Sequence, residues 1–134
     1  MKTPLAVAIR PDPRLDEDLQ QLVRCLFQRR SEGVLVPKVS VAADDWAPQE
    51  HECHDNVEVW VRSMPGTKHV YGFLHFAGLG TFNAHSVVED GERGLCDITP
   101  SRASQLYPFV RHAGSPQLFA KAEAIGTLYY DFVR

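Results

Sequence analysis

The chain has 134 residues, 44% of them hydrophobic and 23% charged, with a formal net charge of −3. That length supports one domain whose core needs neither disulfides nor a structural metal, and the charge balance lacks the basic footprint of a nucleic-acid binder. Three cysteines, Cys25, Cys53 and Cys96, form no CxxC pair. An odd count with no signal peptide predicts a reducing compartment, the cytoplasm, and no apolar run approaches the roughly 20 residues that cross a bilayer.

Residues 5–9 read as a short strand. Asp12-Pro13 then reads as an N-cap with proline in the first turn, and Leu15, Leu19, Leu22, Val23, Leu26 and Phe27 recur at helical spacing, which predicts a helix over 13–30. Val34 to Val41 is β-prone but interrupted by Pro37, the mark of an edge strand. Asp44-Asp45-Trp46-Ala47-Pro48 is a loop that delivers the chain to Cys53. Val57, Trp60 and Val61 lie four, seven and eight positions beyond it, one stripe of a short helix ended by Met64-Pro65-Gly66. The spacing of Val57, Val59 and Val61 by two also admits a strand.

Residues 68–77 predict a central strand, with Val70, Leu74 and Phe76 on one face and Tyr71 and Phe73 on the other. Gly78-Leu79-Gly80 turns the chain into a hairpin, residues 83–89 and 94–99 around Asp90-Gly91. Residues 100–116 look irregular, with a short extended piece at 107–110. Ser115-Pro116 opens a final helix over 116–133, whose apolar face includes Leu118, Phe119, Ala122, Ile125, Leu128, Tyr129 and Phe132.

The chemistry concentrates in three residues, Cys53, His85 and Asp97, in the chain order of a thiol nucleophile, its base and the base's orienter. If Val88 pairs with Gly94 across the hairpin, His85 opposes Asp97, with Cβ atoms about 5 Å apart on one face. A slip of one residue would separate them to opposite faces. Cys96 falls on the other face. Cys53 at a helix start has its pKa lowered by the dipole and a nearby imidazole, and the backbone N–H groups of Cys53 and His54 are placed to meet an oxyanion. Gln49, Asn56 and His54 are auxiliary candidates, and Trp46 is a candidate wall for a substrate cleft.

Each residue also has an ordinary role: a small buried cysteine, a hydrogen-bonded histidine, an aspartate capping the turn before Thr99-Pro100. A competing chemistry is zinc held by His51, Cys53 and His54 with His85, Cys96 or Asp97 as distal ligand, but the spacing matches neither CxxC nor HExxH. No metal or other cofactor is assigned. His69, His75 and His112 show no partner in the sequence.

The segments Glu52-Cys53-His54-Asp55-Asn56, Val70-Tyr71-Gly72-Phe73, Ala84-His85-Ser86-Val87-Val88-Glu89-Asp90-Gly91 and Asp97-Ile98-Thr99-Pro100 resemble the papain-like and transglutaminase-like thiol hydrolase superfamily, in its small bacterial members. The likeness covers roughly residues 50–100. It implies an α+β fold in which a helix carrying the cysteine packs on an antiparallel sheet. It also implies Cys53 as nucleophile, His85 as base and Asp97 as orienter, and amide or peptide substrates. Many members carry an aromatic residue directly after the cysteine or the histidine, where this chain has His54 and Ser86.

The expectation is therefore a single α+β domain over 1–134, with a cysteine-protease-like core at about 45–100, a sheet of roughly four strands, and flanking helices 13–30 and 116–133. Its function is thiol-dependent hydrolysis or acyl transfer. The alternatives are a non-catalytic binding or scaffold module acting through a protein partner, and a zinc-binding protein.

Overall fold

The computed structural model describes residues 9–132 and is mixed α/β, with three helices and a curled antiparallel sheet. In chain order the elements are β1 (Ile9–Pro11), α1 (Glu17–Gln28), a 3₁₀ turn (Arg30–Glu32), α2 (Cys53–Ser63), β2 (Thr67–Phe76), β3 (Thr81–Asp90), β4 (Gly94–Cys96), β5 (Phe109–Arg111), α3 (Pro116–Ile125) and β6 (Thr127–Phe132). The strands form one six-stranded sheet in the order β1-β6-β3-β2-β5, and β4 also pairs with β3. The sheet is thus larger than the four strands expected, because both ends of the described chain contribute short strands. The strand expected at 5–9 lies almost wholly outside the described residues.

α1 starts later than the Asp12-Pro13 signal predicts. Asp12 serves a turn instead, accepting the Arg14 N–H and pairing with its guanidinium, while the Asp16 carboxylate accepts the Leu19 N–H and caps the helix. The larger correction is at the other end. α3 stops at Ile125, where Gly126 takes a φ of 89° that only glycine adopts freely, and the rest of the predicted helix is β6. Leu128 and Tyr130 are buried while Tyr129 and Asp131 are exposed, so period-two burial had been folded into an apparent helical face. Val34 to Val41 forms no strand. It runs irregularly, touching the sheet through a Val34–Phe109 bridge and a parallel Lys38–Asp97 bridge.

One face of β2 and β3 carries Phe73 and Phe82, which join Leu19, Leu22, Val23, Leu26 and Phe27 of α1 and Phe119 and Ala122 of α3 in the main core. The opposite face carries Val70 and Val87, covered by Val36 and Phe109. α2 forms, as its apolar stripe predicts, with Val57 fully buried against Val88 and Ile98 and with Trp60 and Val61 beside them. β2 and β3 pair along their whole length. On its other edge β3 bonds β6 through residues 81–83 and β4 through 88–90. The strand edge at 85–87 lies between these two ladders, and the N-terminus of α2 meets the chain there. Among the described residues no helix is long and apolar enough to cross a membrane.

Candidate active site

His85 projects from β3 and Asp97 follows β4. The register differs from the simple hairpin estimate: Val88 pairs with Cys96 and Asp90 with Gly94, around a three-residue loop. Gly94 has a φ of 82°, and Asp90 accepts N–H bonds from Glu92 and Arg93, which stabilise the longer loop. The shift is two residues, and an even shift preserves which face each side chain occupies. His85 and Asp97 are therefore diagonal neighbours and still meet, His85 Nε2 lying 2.8 Å from Asp97 Oδ2.

Both groups are buried, and every oxygen of the carboxylate is engaged. Oδ2 also accepts from Lys38 Nζ at 3.2 Å, and Oδ1 from the Thr99 N–H at 3.1 Å. Burial alone would raise the Asp97 pKa, but the bond and charge of His85, with Lys38 and the Thr99 N–H, hold it below the ordinary value. Lys38 was not a sequence candidate. Its residue lies in the segment whose pairing with Asp97 only the folded chain reveals.

Cys53 is the first residue of α2 and half-buried. Burial works against its thiolate, yet hydrogen bonding to His54 and His85 and the charges of both imidazoles lower its pKa from 9.0 to about 6. His85 responds in the opposite direction. Burial disfavours its cation, but Asp97 and Cys53 raise its pKa from 6.5 to about 9. Between those values the pair is thiolate and imidazolium. Glu52, at the N-cap, makes no side-chain cap, so the first-turn N–H groups of α2 beside the sulfur have no capping carboxylate.

The auxiliary candidates separate. Asn56 spends its amide on structure: Oδ1 accepts the Gln49 N–H, and Nδ2 donates to Gln49 O and Thr99 Oγ1. Gln49 turns its own side chain back to Ala47 O. Neither amide is presented to the thiol, so both position the loop instead. Trp46 stacks on Trp60 with ring centroids 6.2 Å apart, packing against the body of α2 rather than walling a cleft beside its start.

His54 does reach the site, and it brings residues that sequence reasoning passed over. Its Nδ1 lies 2.6 Å from Ser86 Oγ, and His69 Nε2 lies 2.8 Å from the same oxygen. Ser86 is fully buried on β3, next to His85 but on the opposite face. The signal was present in the short β2–β3 turn, which pairs Phe76 with Thr81 and makes His69 a diagonal neighbour of Ser86. His75 bonds Tyr130 and His112 bonds Ser115 O, both away from the thiol.

Tyr71, which the sequence places on one face of a central strand, is 42% exposed. With His69, Phe119, Lys68, Arg111 and Glu123 it lines a cleft of about 510 Å³ between β2 and α3. The His54 ring packs edge-on against Phe119 at this cleft. Among the described residues no group of three or more His, Cys, Asp or Glu side chains is arranged to hold a metal ion, and His51 is exposed on a backbone with a φ of 66°.

Comparison with protein-family models, with curated proteins and with solved structures gave no match. The functional reading rests on the geometry of these side chains.

Proposed function

We propose that the protein is a thiol-dependent hydrolase or acyltransferase acting on an amide or peptide bond, built on a papain-like or transglutaminase-like core. The observation that carries this reading is the Cys53 thiol at a helix N-terminus beside an imidazole that a buried carboxylate orients. The Cys53 thiolate attacks the carboxamide carbon, and the developing oxyanion is met by first-turn N–H groups of α2. His85 donates its proton to the leaving amine, and a thioester remains on Cys53. Water or a second amine then attacks the thioester and releases the thiolate. Asp97 holds the His85 ring throughout, with Nε2–H directed at its carboxylate.

The cysteines of the described chain are all free, which fits work in a reducing compartment such as the cytoplasm. The test is alkylation by iodoacetamide. Cys53 is expected to react at pH 6 to 7 many times faster than an ordinary thiol. A Cys53 that reacts at pH 6 no faster than free cysteine overturns the reading.

A further inference from the structure

Consecutive strand residues point to opposite faces, and on β3 this brings a separate polar network to the thiol from each side of the strand. His85 leads to Asp97 on one face. On the other, His54 leads to Ser86 Oγ at 2.6 Å, Ser86 to His69 Nε2 at 2.8 Å, and His69 Nδ1 faces Glu58 Oε1 at 3.4 Å, ion-pair range without hydrogen-bond alignment. A hydroxyl between two imidazoles accepts from one while donating to the other. Glu58 is largely exposed, so this second path runs from beside the sulfur to solvent.

Resting on the thiol reading above, we propose that His54 is a second catalytic base, which activates the water that hydrolyses the Cys53 thioester and passes its proton along Ser86 and His69 to Glu58. The division of labour balances. In acylation the His85 proton leaves with the amine, so His85 is neutral when the thioester forms. In deacylation His54 takes one proton from water as the oxygen bonds the acyl carbon. The carbon–sulfur bond then breaks and Cys53 leaves as thiolate. The proton of the new carboxylic acid restores the His85 imidazolium, and the proton on His54 exits through the relay. The relay requires the tautomer in which His54 Nδ1–H donates to Ser86 Oγ and the Ser86 hydroxyl donates to His69 Nε2, which leaves His54 Nε2 free to act as the base.

The groups facing His54 favour its taking a proton from water. They are Cys53 on the same helix, His85 and Ser86 on β3, His69 on β2 across Ser86, and Glu123 on α3, whose carboxylate lies 3.8 Å from His54 Nε2. Burial disfavours the His54 cation, but Cys53 and Glu123 outweigh it and raise its pKa, while burial leaves His69 below its ordinary value. His54 thus holds a proton more readily than His69. Transfer outward is therefore uphill from His54 to His69, and it is completed as one concerted shift along the hydroxyl that ends in release to solvent at the exposed Glu58.

p-Nitrophenyl acetate separates the two halves, because nitrophenolate leaves without a proton from His85. The acetyl group is followed on Cys53 by intact mass during its formation and its decay. Ser86→Ala breaks the relay, and His69→Gln keeps an acceptor for the Ser86 hydroxyl but cannot pass a proton. Each is expected to slow decay of the acetyl enzyme at least about tenfold more than its formation, in proteins whose thermal melting matches the parent. Formation and decay slowed equally, or neither slowed, overturns the relay. Iodoacetamide profiles of the same proteins keep the two readings apart: low-pH reactivity with decay unmoved by both variants sinks the relay alone, whereas an ordinary thiol profile in the parent sinks both.

Discussion

His85 Nε2 lies 2.8 Å from Asp97 Oδ2, and because that nitrogen is committed to the carboxylate, Nδ1 is the one left to exchange a proton with Cys53. The contact fixes both the ring's orientation and its protonation state.

Asp97→Asn keeps the shape of this contact but removes the charge that raises the His85 pKa. His85 should titrate lower and Cys53 higher, with turnover reduced about 10²- to 10⁴-fold. Asp97→Ala, which also strands Lys38 beside a buried imidazole, should cost about 3 kcal/mol or more of stability. Urea denaturation and histidine NMR titration check both, and an unchanged His85 titration in Asp97→Asn would contradict the assignment.

The pH dependence has two limbs of opposite sign. Cys53 has a depressed pKa, so its contribution to stability is complete above 9.0 and is lost as pH falls through about 6, the value that also sets the acid limb of reactivity. His85 has a raised pKa, so its contribution is complete below 6.5 and is lost as pH rises through about 9. Amide cleavage should follow a bell with limbs near those two values, while alkylation shows only the acid limb. Cys53→Ala should remove the acid limb from the thermal stability profile.

Gly72 sits opposite His85 in the β2–β3 ladder. A Cβ there would lie 2.5 Å from Phe109 Cζ and from the Val110 carbonyl, and the Phe109 ring packs edge-on to His85. Gly72→Ala should therefore cost about 1 to 3 kcal/mol and weaken the His85–Asp97 bond. Chemical denaturation measures the first effect. The base limb of the pH profile moving to lower pH reports the second.

Asn56 ties the loop before α2 to Thr99 through three hydrogen bonds. Asn56→Ala leaves the Gln49 backbone groups without these partners and should cost about 2 to 4 kcal/mol. Alkylation of Cys53 at pH 6 should slow, since the helix start that carries the sulfur loses its anchor. Unchanged stability would show that the loop is held by other contacts.

The meeting of His85 with Asp97, the α2 helix and the β2–β3–β4 order were legible in the sequence, whereas the resemblance, together with the α2 reading, brought Cys53 to that pair. The first three rest on local periodicity: the 4-7-8 stripe after Cys53, the alternation along β3 and the turn residues at Asp90-Gly91. Even the error in hairpin register was harmless, because a two-residue shift leaves every side chain on its face. Local signals failed where the chain switches period without a break in hydrophobicity. Ile125, Leu128, Tyr129 and Phe132 fit a helical face, and only Gly126 marked the change to a strand that pairs with β1 and β3.

What tertiary structure alone decided is which distant groups surround the sulfur. Lys38 reaches Asp97 from an irregular segment, and His69 reaches Ser86 from the neighbouring strand. Trp46 stacks on Trp60 instead of a substrate wall. Sequence spacing sets which face of an element a side chain occupies, whereas long-range pairing sets what that face meets. That His85 meets Asp97 was a matter of spacing; the second network behind His54 depended on how the sheet assembled.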